Sequence, residues 1–231
     1  MANSSESGGK RGGGRGGRGG RGGRRQARED TPDVRLSKFL SFVCRHKARD
    51  LGLSVREGGW VAVSDILSLP RGRGFTEEDV RRVVAGNDKK RFALQEEPED
   101  KGLLVRANQG HSMEVSGLEL RPITRPEEVV CVVHGTRMEA WTKIRDQGLS
   151  RMQRSHIHFA QGLPGDSGVI SGMRASSQVH IFIDMEKALA DGYKFFLSAN
   201  DVVLCPGNEQ GLLPPRYFSR VVETSSGKQL L

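Results

Sequence analysis

Arg91 to Ala107 reads RFALQEEPEDKGLLVRA. Two apolar runs, Arg91–Leu94 and Leu103–Ala107, flank an acidic segment, EEPEDKG, whose charge, Pro and Gly suit neither strand. The spacing predicts a β-hairpin. What precedes it decides its meaning. Thr31-Pro32-Asp33 is a helix start: a capping hydroxyl, then Pro where a missing N–H costs nothing. Leu36, Phe39, Leu40 and Val43 follow at helical spacing and predict a buried stripe. Arg45 falls opposite that stripe and His46 on its flank, both near the helix C-terminus. Gly58-Gly59 predicts a turn, Trp60–Val63 a short strand, and Ser64–Leu69 a short helix stopped by Pro70. Thr76, with Asp79 three residues on, predicts a helix through Val84 that ends at Gly86-Asn87. Three helices and a hairpin predict a winged-helix module over residues 31–107, an architecture that often binds nucleic acid without proving it.

The texture changes beyond it. Val129–Val133 is continuously apolar and predicts a buried strand. Met138–Gln147 reads as a helix with Gly148 as its C-cap. His156–Phe159, Val179–Ile183, Lys194–Leu197, Val202–Cys205 and Tyr217–Val222 read as strands, Met185–Leu189 as a short helix and Gly162–Gly172 as a loop. The expected fold class is α+β, with a mixed or antiparallel split sheet in residues 126–231. A linker over 108–125 separates the two units, with Pro122 and Pro126 near its end.

Residues 1–30 belong to neither unit. They hold eleven Gly and seven Arg, mostly as RGG repeats, and almost no apolar side chain. Such a segment buries too little surface to offset its ordering entropy, and composition predicts disorder. Seven Arg and Lys10 against Glu6, Glu29 and Asp30 leave +5 of the chain's net +8 there. RGG runs contact RNA through phosphate attraction and stacking, or serve as solubilising tails. GRGGRG (14–19) formally matches a dinucleotide fingerprint, but no strand precedes it and no helix follows. Three widely spaced cysteines, Cys44, Cys131 and Cys205, suit buried thiols in a reducing compartment rather than a disulfide framework. No apolar run is long enough to span a membrane and no secretory leader is evident. An intracellular protein, cytoplasmic or nuclear, is expected.

Five of the six histidines fall in short polar strings: CRH (44–46), VRANQGHS (105–112), VVHGT (132–136) and MQRSHIH (152–158). KKRF (89–92) shares their basic character. These strings are rich in cations and donors and poor in carboxylates. They suit grip on phosphate rather than the paired-carboxylate chemistry of glycosidases or aspartic proteases. Each string alone has a plainer reading. Arg45 and His46 complement a helix dipole, VRANQGHS is an ordinary turn, and His134 is a hydrogen-bonded structural residue. His156 and His158, two apart, share a strand face, but no third and fourth ligand stand at zinc spacing. Arg154 shares that face and favours an anion over a divalent cation. No metal is expected.

Together and in this order the strings closely resemble the tRNA 2′-phosphotransferase family, over about Arg35 to Arg220. The GGWV turn and NDVVLCPG also fit. The resemblance implies an N-terminal winged helix packed on a C-terminal ADP-ribosyltransferase-like fold. It implies an enzyme that uses NAD as co-substrate to remove an internal 2′-phosphate from spliced tRNA. The RNA product has a free 2′-hydroxyl. The route passes through ADP-ribosylated RNA and releases nicotinamide and ADP-ribose 1″,2″-cyclic phosphate. By the same resemblance Arg45, His46, Arg91 and Arg154 form the catalytic set. His134, Gly135, Thr136, His158 and Val202 (with Val203 adjacent) contact NAD. Arg106, Asn108, Gln109, His111 and Ser112 bridge RNA phosphate and NAD. The chain departs from the family at Asp201, where Gly is frequent. Two other readings remain: an ADP-ribosyltransferase acting on nucleic-acid phosphate termini, and a noncatalytic RNA-binding protein.

Overall fold

The computed structural model describes residues 30–97, 102–163, 166, 173–174 and 176–231. The Arg/Gly-rich tail, most of the acidic hairpin loop and most of the 162–172 segment lie outside them. Helix α1 (Pro32–Phe42) starts as its sequence predicts: Thr31 Oγ1 accepts from Val34 N, and Leu36, Phe39 and Leu40 are buried. The chain then continues as a π-helical turn, Val43–Lys47, closed by the Ala48 N–H on the Val43 carbonyl at 3.0 Å. Strand β1 (Val61–Ala62) runs directly into α2 (Val63–Ser68), so Val63 is helical rather than the end of a strand. Helix α3 (Glu77–Ala85) opens on a reciprocal capping box between Thr76 and Asp79 and closes at Gly86. Strands β2 (Phe92–Glu96) and β3 (Leu103–Ala107) form the predicted antiparallel hairpin, Phe92 facing Ala107, with β1 on the other side of β3. Leu36, Leu40, Val43, Val61, Ile66, Val80 and Val105 close a core between helices and sheet.

The remaining elements build a second core. They are β4 (Leu120–Ile123), β5 (Val133–Thr136), α4 (Met138–Gln147), β6 (Leu149–Ser150), β7 (Ile157–Phe159), β8 (Val179–Ile183), α5 (Met185–Ala190), β9 (Phe195–Ser198), β10 (Val203–Cys205), β11 (Leu212–Leu213) and β12 (Phe218–Glu223). All pairings are antiparallel. A four-stranded sheet has order β4-β9-β10-β7, a three-stranded sheet β12-β8-β5, and β11 pairs with β6. The two larger sheets meet where Val133 and Ala160 exchange backbone hydrogen bonds of 2.9 and 3.0 Å. The α+β class expected from sequence holds. No helix among the described residues is long and apolar enough to cross a membrane.

Several local expectations fail for identifiable reasons. Val129–Val133 is not one strand. Val129 and Val132 reach the core separately, Val130 is 98% exposed, and only Val133 enters β5. The Pro126–Glu128 turn bends the chain just before, and Glu128 accepts from the backbone N–H groups of Thr124 and Arg125. Leu120–Ile123, within the residues read as a linker, is a strand paired with β9. His156 lies in a bend before β7, and Arg91 just before β2. Cys44 and Cys205 are buried thiols, whereas Cys131 is half-buried.

The β9–β10 connection puts Asp201 in a position that suits glycine. Ser198 N donates to Val202 O and Asp201 N to Ser198 O, a tight hairpin whose last loop residue sits at φ 59°. That left-handed position favours Gly; Asp tolerates it better than most side chains. Asp201→Gly should hold or raise stability by up to about 1 kcal/mol, whereas Asp201→Val should lose roughly 1–2 kcal/mol. Chemical denaturation tests the strain, and equal midpoints for the Val variant and the parent would refute it.

Candidate active site

Three arginines from three distant segments line one cavity of about 590 Å³: Arg45, Arg91 and Arg154. Each sits on irregular backbone. Arg45 belongs to the π-helical turn, a feature often found at functional sites. That turn, rather than α1 itself, carries Arg45 to the cavity shared with the second unit. Arg91 ends a loop in which Lys90 adopts φ 41° and the Arg91 N–H donates to Asn87 Oδ1. Arg154 ends a turn in which its N–H donates to Arg151 O at 3.0 Å.

VRANQGHS is the bracket that holds all three in place. The Ser112 N–H donates to Arg45 O at 3.0 Å, and Ser112 Oγ bonds His46 Nδ1 at 2.9 Å. Asn108 donates its N–H to Arg91 O (2.9 Å) and its Nδ2 to Lys90 O (2.8 Å). His111 O accepts the Ser155 N–H beside Arg154 at 2.9 Å. Gly110, at φ 87°, lies against the Arg45 guanidinium; a Cβ there would meet Arg45 Cζ at 3.4 Å. Across the cavity, Asn200 is almost fully buried and donates to Lys89 O at 3.0 Å.

The sites expected from sequence therefore separate. Gln109 lines the cavity, whereas Asn108, His111 and Ser112 support it from behind and His46 stands beside Arg45. Arg106 does not reach it. That side chain projects from the other side of β3, stacks 4.5 Å from the Trp60 ring and pairs with Glu119. In the second unit His134, Gly135 and Thr136 of β5 and His158 of β7 line the cavity, and His156 instead packs edge-on against Phe196. Val202 lines it, while Val203 points into the core. Sequence reasoning missed Lys89, Arg137, Arg174, Ser176 and Ser177, which also line it. Lys89 was visible in KKRF; Arg174 follows a segment with no periodic signal.

No carboxylate lines the cavity among the described residues, and Arg45, Lys89, Arg91 and Arg154 form no ion pair there. Arg45 Nε and Nη2 and His158 Nε2 are buried without a hydrogen-bond partner. Buried donors left unpaired are costly, and here they mark where an acceptor belongs. Burial, then Arg91 and Arg154, lower Arg45 to about 10, which leaves it charged at neutral pH. Burial, then Arg45 and Arg154, lower His46. Burial, then Arg45 and His46, push His111 to about 4, and burial, then Arg154 and His156, push His158 to about 3. His134, also lowered by burial, donates Nδ1–H to the His158 carbonyl at 2.9 Å, so Nε2 is the lone-pair nitrogen. Fixed guanidinium charges beside neutral imidazoles make an anion site with hydroxyl-binding walls. Among the described residues no group of three His, Cys, Asp or Glu is placed to hold a metal ion.

The family profile described as RNA 2′-phosphotransferase, Tpt1 / KptA family, matches residues 31–207. The chain is 52% identical over 194 residues to tRNA 2′-phosphotransferase 1 of Danio rerio, covering 83% of this chain and 86% of that protein. It is 51% identical over 197 residues to the human protein of the same name, covering 85% and 78%. A probable RNA 2′-phosphotransferase of Rhizobium rhizogenes is 37% identical over 191 residues, covering 81% and 94%.

The neutral histidines make stability depend on pH. His158 titrates near 3 when folded against an ordinary 6.5. Below pH 6.5 the unfolded chain takes up a proton that the folded chain refuses, so stability falls on acidification through that window and His111 acts in the same sense. At pH 5 His158 alone should cost about 2 kcal/mol relative to pH 7.5. Thermal unfolding should show the loss, less steeply in His158→Gln, and millimolar inorganic phosphate should offset it. A flat profile between pH 7.5 and 5 would exclude buried neutral histidines.

Proposed function

The chain belongs to the RNA 2′-phosphotransferase, Tpt1 / KptA family and is an enzyme, and we propose that it transfers the internal 2′-phosphate of spliced tRNA to NAD. The observation that carries this reading is the cation cluster, free of carboxylates among the described residues, with its unpartnered buried Arg45 donors. A phosphate dianion needs such fixed donors, and a guanidinium grips two of its oxygens at once.

NAD supplies an anomeric carbon whose bond to nicotinamide breaks readily. The cavity suits such a molecule. Arg137, Arg174, Ser176 and Ser177 offer cations and hydroxyls for a diphosphate, and Gly135 lets the Met173 and Ser177 side chains pack against β5, since a Cβ there would fall 2.1 Å from Met173 Sδ. His134 Nε2 is set to accept a ribose hydroxyl, and His158 and Thr136 extend the same wall. Val202 stands where a carboxylate would repel an incoming phosphate. In the proposed first step an oxygen of the RNA 2′-phosphate bonds to the anomeric carbon as nicotinamide leaves, giving ADP-ribosylated RNA. In the second, the adjacent 2″-hydroxyl oxygen bonds to phosphorus and the bond from phosphorus to the RNA 2′-oxygen breaks. RNA departs as the 2′-hydroxyl, with ADP-ribose 1″,2″-cyclic phosphate as the other product. Arg45, Arg91 and Arg154 hold the phosphoryl oxygens as charge grows on them. His46, fixed through Nδ1 by Ser112, moves the proton from the 2″-hydroxyl to the departing 2′-oxygen. Asn108, Gln109, His111 and Ser112 keep these groups in register, Gln109 from within the cavity.

In this reading residues 31–107 are a winged-helix lobe that presents RNA, and residues 126–231 an ADP-ribosyltransferase-like lobe that holds NAD. The 108–125 segment carries the bracket, and the Arg/Gly-rich tail adds nonspecific RNA contact. An enzyme of tRNA splicing works inside the cell, in cytoplasm or nucleus.

A short RNA with one internal 2′-phosphate, incubated with and without NAD and analysed by mass spectrometry, tests the reaction. NAD-dependent loss of the phosphate with release of the cyclic phosphate is expected. Accumulation of ADP-ribosylated RNA as an end product would replace phosphate removal with ADP-ribosyl transfer to nucleic-acid phosphates. Arg91→Ala and Arg154→Ala should each lower kcat/KM by about 100-fold or more while the unfolding midpoint stays near the parent's. For His46, the second-step rate should fall in His46→Asn and lose its pH dependence; an unchanged profile would leave His46 only orienting phosphate.

A further inference from the structure

A second cationic concavity, of about 690 Å³, lies at the other end of α1. Arg35 and Lys38 of α1 and Arg71, Arg73 and Phe75 of the α2–α3 connection line it. Two carboxylates line it as well, and both are occupied: Asp30 pairs with Lys38 at 2.6 Å, and Asp79 with Arg82 at 2.7 Å and with the Thr76 cap. Arg35, Arg71 and Arg73 form no ion pair among the described residues. Arg71 is not a freely solvated side chain. Its guanidinium lies 5.3 Å from the Phe39 ring centroid and 5.4 Å from that of Phe42, which fixes the charge on the helix flank. Half-buried Phe75 adds an aromatic wall. A groove lined by cations, Arg71 held in place among them, with an aromatic side is the arrangement that tracks a single-stranded backbone.

Its place along α1 gives the groove a purpose. Arg35 precedes Arg45 by ten residues, about 15 Å at 1.5 Å per residue. Arg71 over Phe39 and Phe42 bridges the interval. A stacked strand advances roughly 3.4 Å per nucleotide, so about four or five nucleotides separate the two sites. Asp30 lines the groove, and the segment joined there carries seven Arg and Lys10.

We propose that this groove holds the sugar–phosphate backbone of the substrate RNA several nucleotides from its reactive 2′-phosphate, so that the enzyme favours long RNA over the minimal splice-junction dinucleotide. The inference rests on the proposed reaction only for the identity of the RNA. The test uses the full chain and an Arg35→Gln/Arg73→Gln variant, which leaves Arg71 over its phenylalanines. Turnover is measured on a 2′-phosphorylated dinucleotide and on a 20-nucleotide RNA with the 2′-phosphate at its centre. Binding of an unphosphorylated 20-mer is followed by fluorescence anisotropy against salt.

The parent should prefer the 20-mer. In the variant kcat/KM for the 20-mer should drop about tenfold, dinucleotide turnover should be unchanged, and the salt dependence of binding should flatten by about 1.4 in log–log slope, roughly 0.7 for each lost phosphate contact. Undiminished 20-mer turnover, or equal losses on both substrates, would overturn the groove. Displacement of the 20-mer by polyglutamate at equal charge would also overturn it, in favour of an acidic protein partner. If the parent turns over neither RNA, the reaction fails, and 20-mer binding still decides the groove by itself.

Discussion

The rest of the structure depends on holding Arg45, Arg91 and Arg154 together with no carboxylate among them in the described residues. Like charges near contact repel by about 1 kcal/mol in water and by several times that in partly buried surroundings. A stable protein usually relieves such repulsion with acidic partners. Here acidic partners would occupy the same guanidinium forks that a phosphate needs. The alternative is to anchor the arginines through their backbones, and the chain does so. Ser112 N, Asn108 and His111 O each hold the main chain beside one arginine, leaving the side chains unspent.

That arrangement explains why the bracket lies immediately after β3. Strand β3 is the central strand of the first sheet and all five of its residues are buried. Its end is thus among the best-fixed points of the first unit, and residues 108–112 inherit that rigidity. Arg106 shows the cost of reading the same string as ligands throughout. It is still in the strand, and its stacking on Trp60 and pairing with Glu119 secure the strand rather than the cavity.

What the sequence made legible follows the range of the forces concerned. The Thr31-Pro32 and Thr76–Asp79 helix starts, the Met138–Gln147 helix with its Gly148 cap, and the β2–β3 hairpin depend on neighbours within a few residues, and each appears where its residues predict. The π-helical turn at Val43–Lys47 does not. It lets Val43 and Cys44 stay buried while Arg45 turns to the other unit, a compromise settled by tertiary packing. Val130 looked like core because its neighbours do, yet a turn fixed by Glu128 carries it outward. Within the site, residues in polar strings were visible as donors. Whether a donor faces the cavity or braces it was not, because that depends on which of two strand faces or loop directions the fold selects. Asn200 and Arg174 were invisible for a related reason: their role arises only when the second unit closes against the Lys89–Arg91 loop.

The histidines complete the electrostatic logic. Each imidazole beside the cluster is held neutral by burial and by the arginines, so adding it costs no further repulsion at neutral pH. A bound dianion reverses the sign of the local field and raises the affinity of His46 for a proton. In the proposed reaction, proton uptake is thereby coupled to phosphate occupancy. A carboxylate in the same place would raise the proton affinity of His46 without any ligand and would itself pair with Arg45. The absence of acidic side chains around the cavity, among the described residues, thus does two things at once: it keeps the arginines free of ion pairs, and it leaves the histidine uncharged in the free protein.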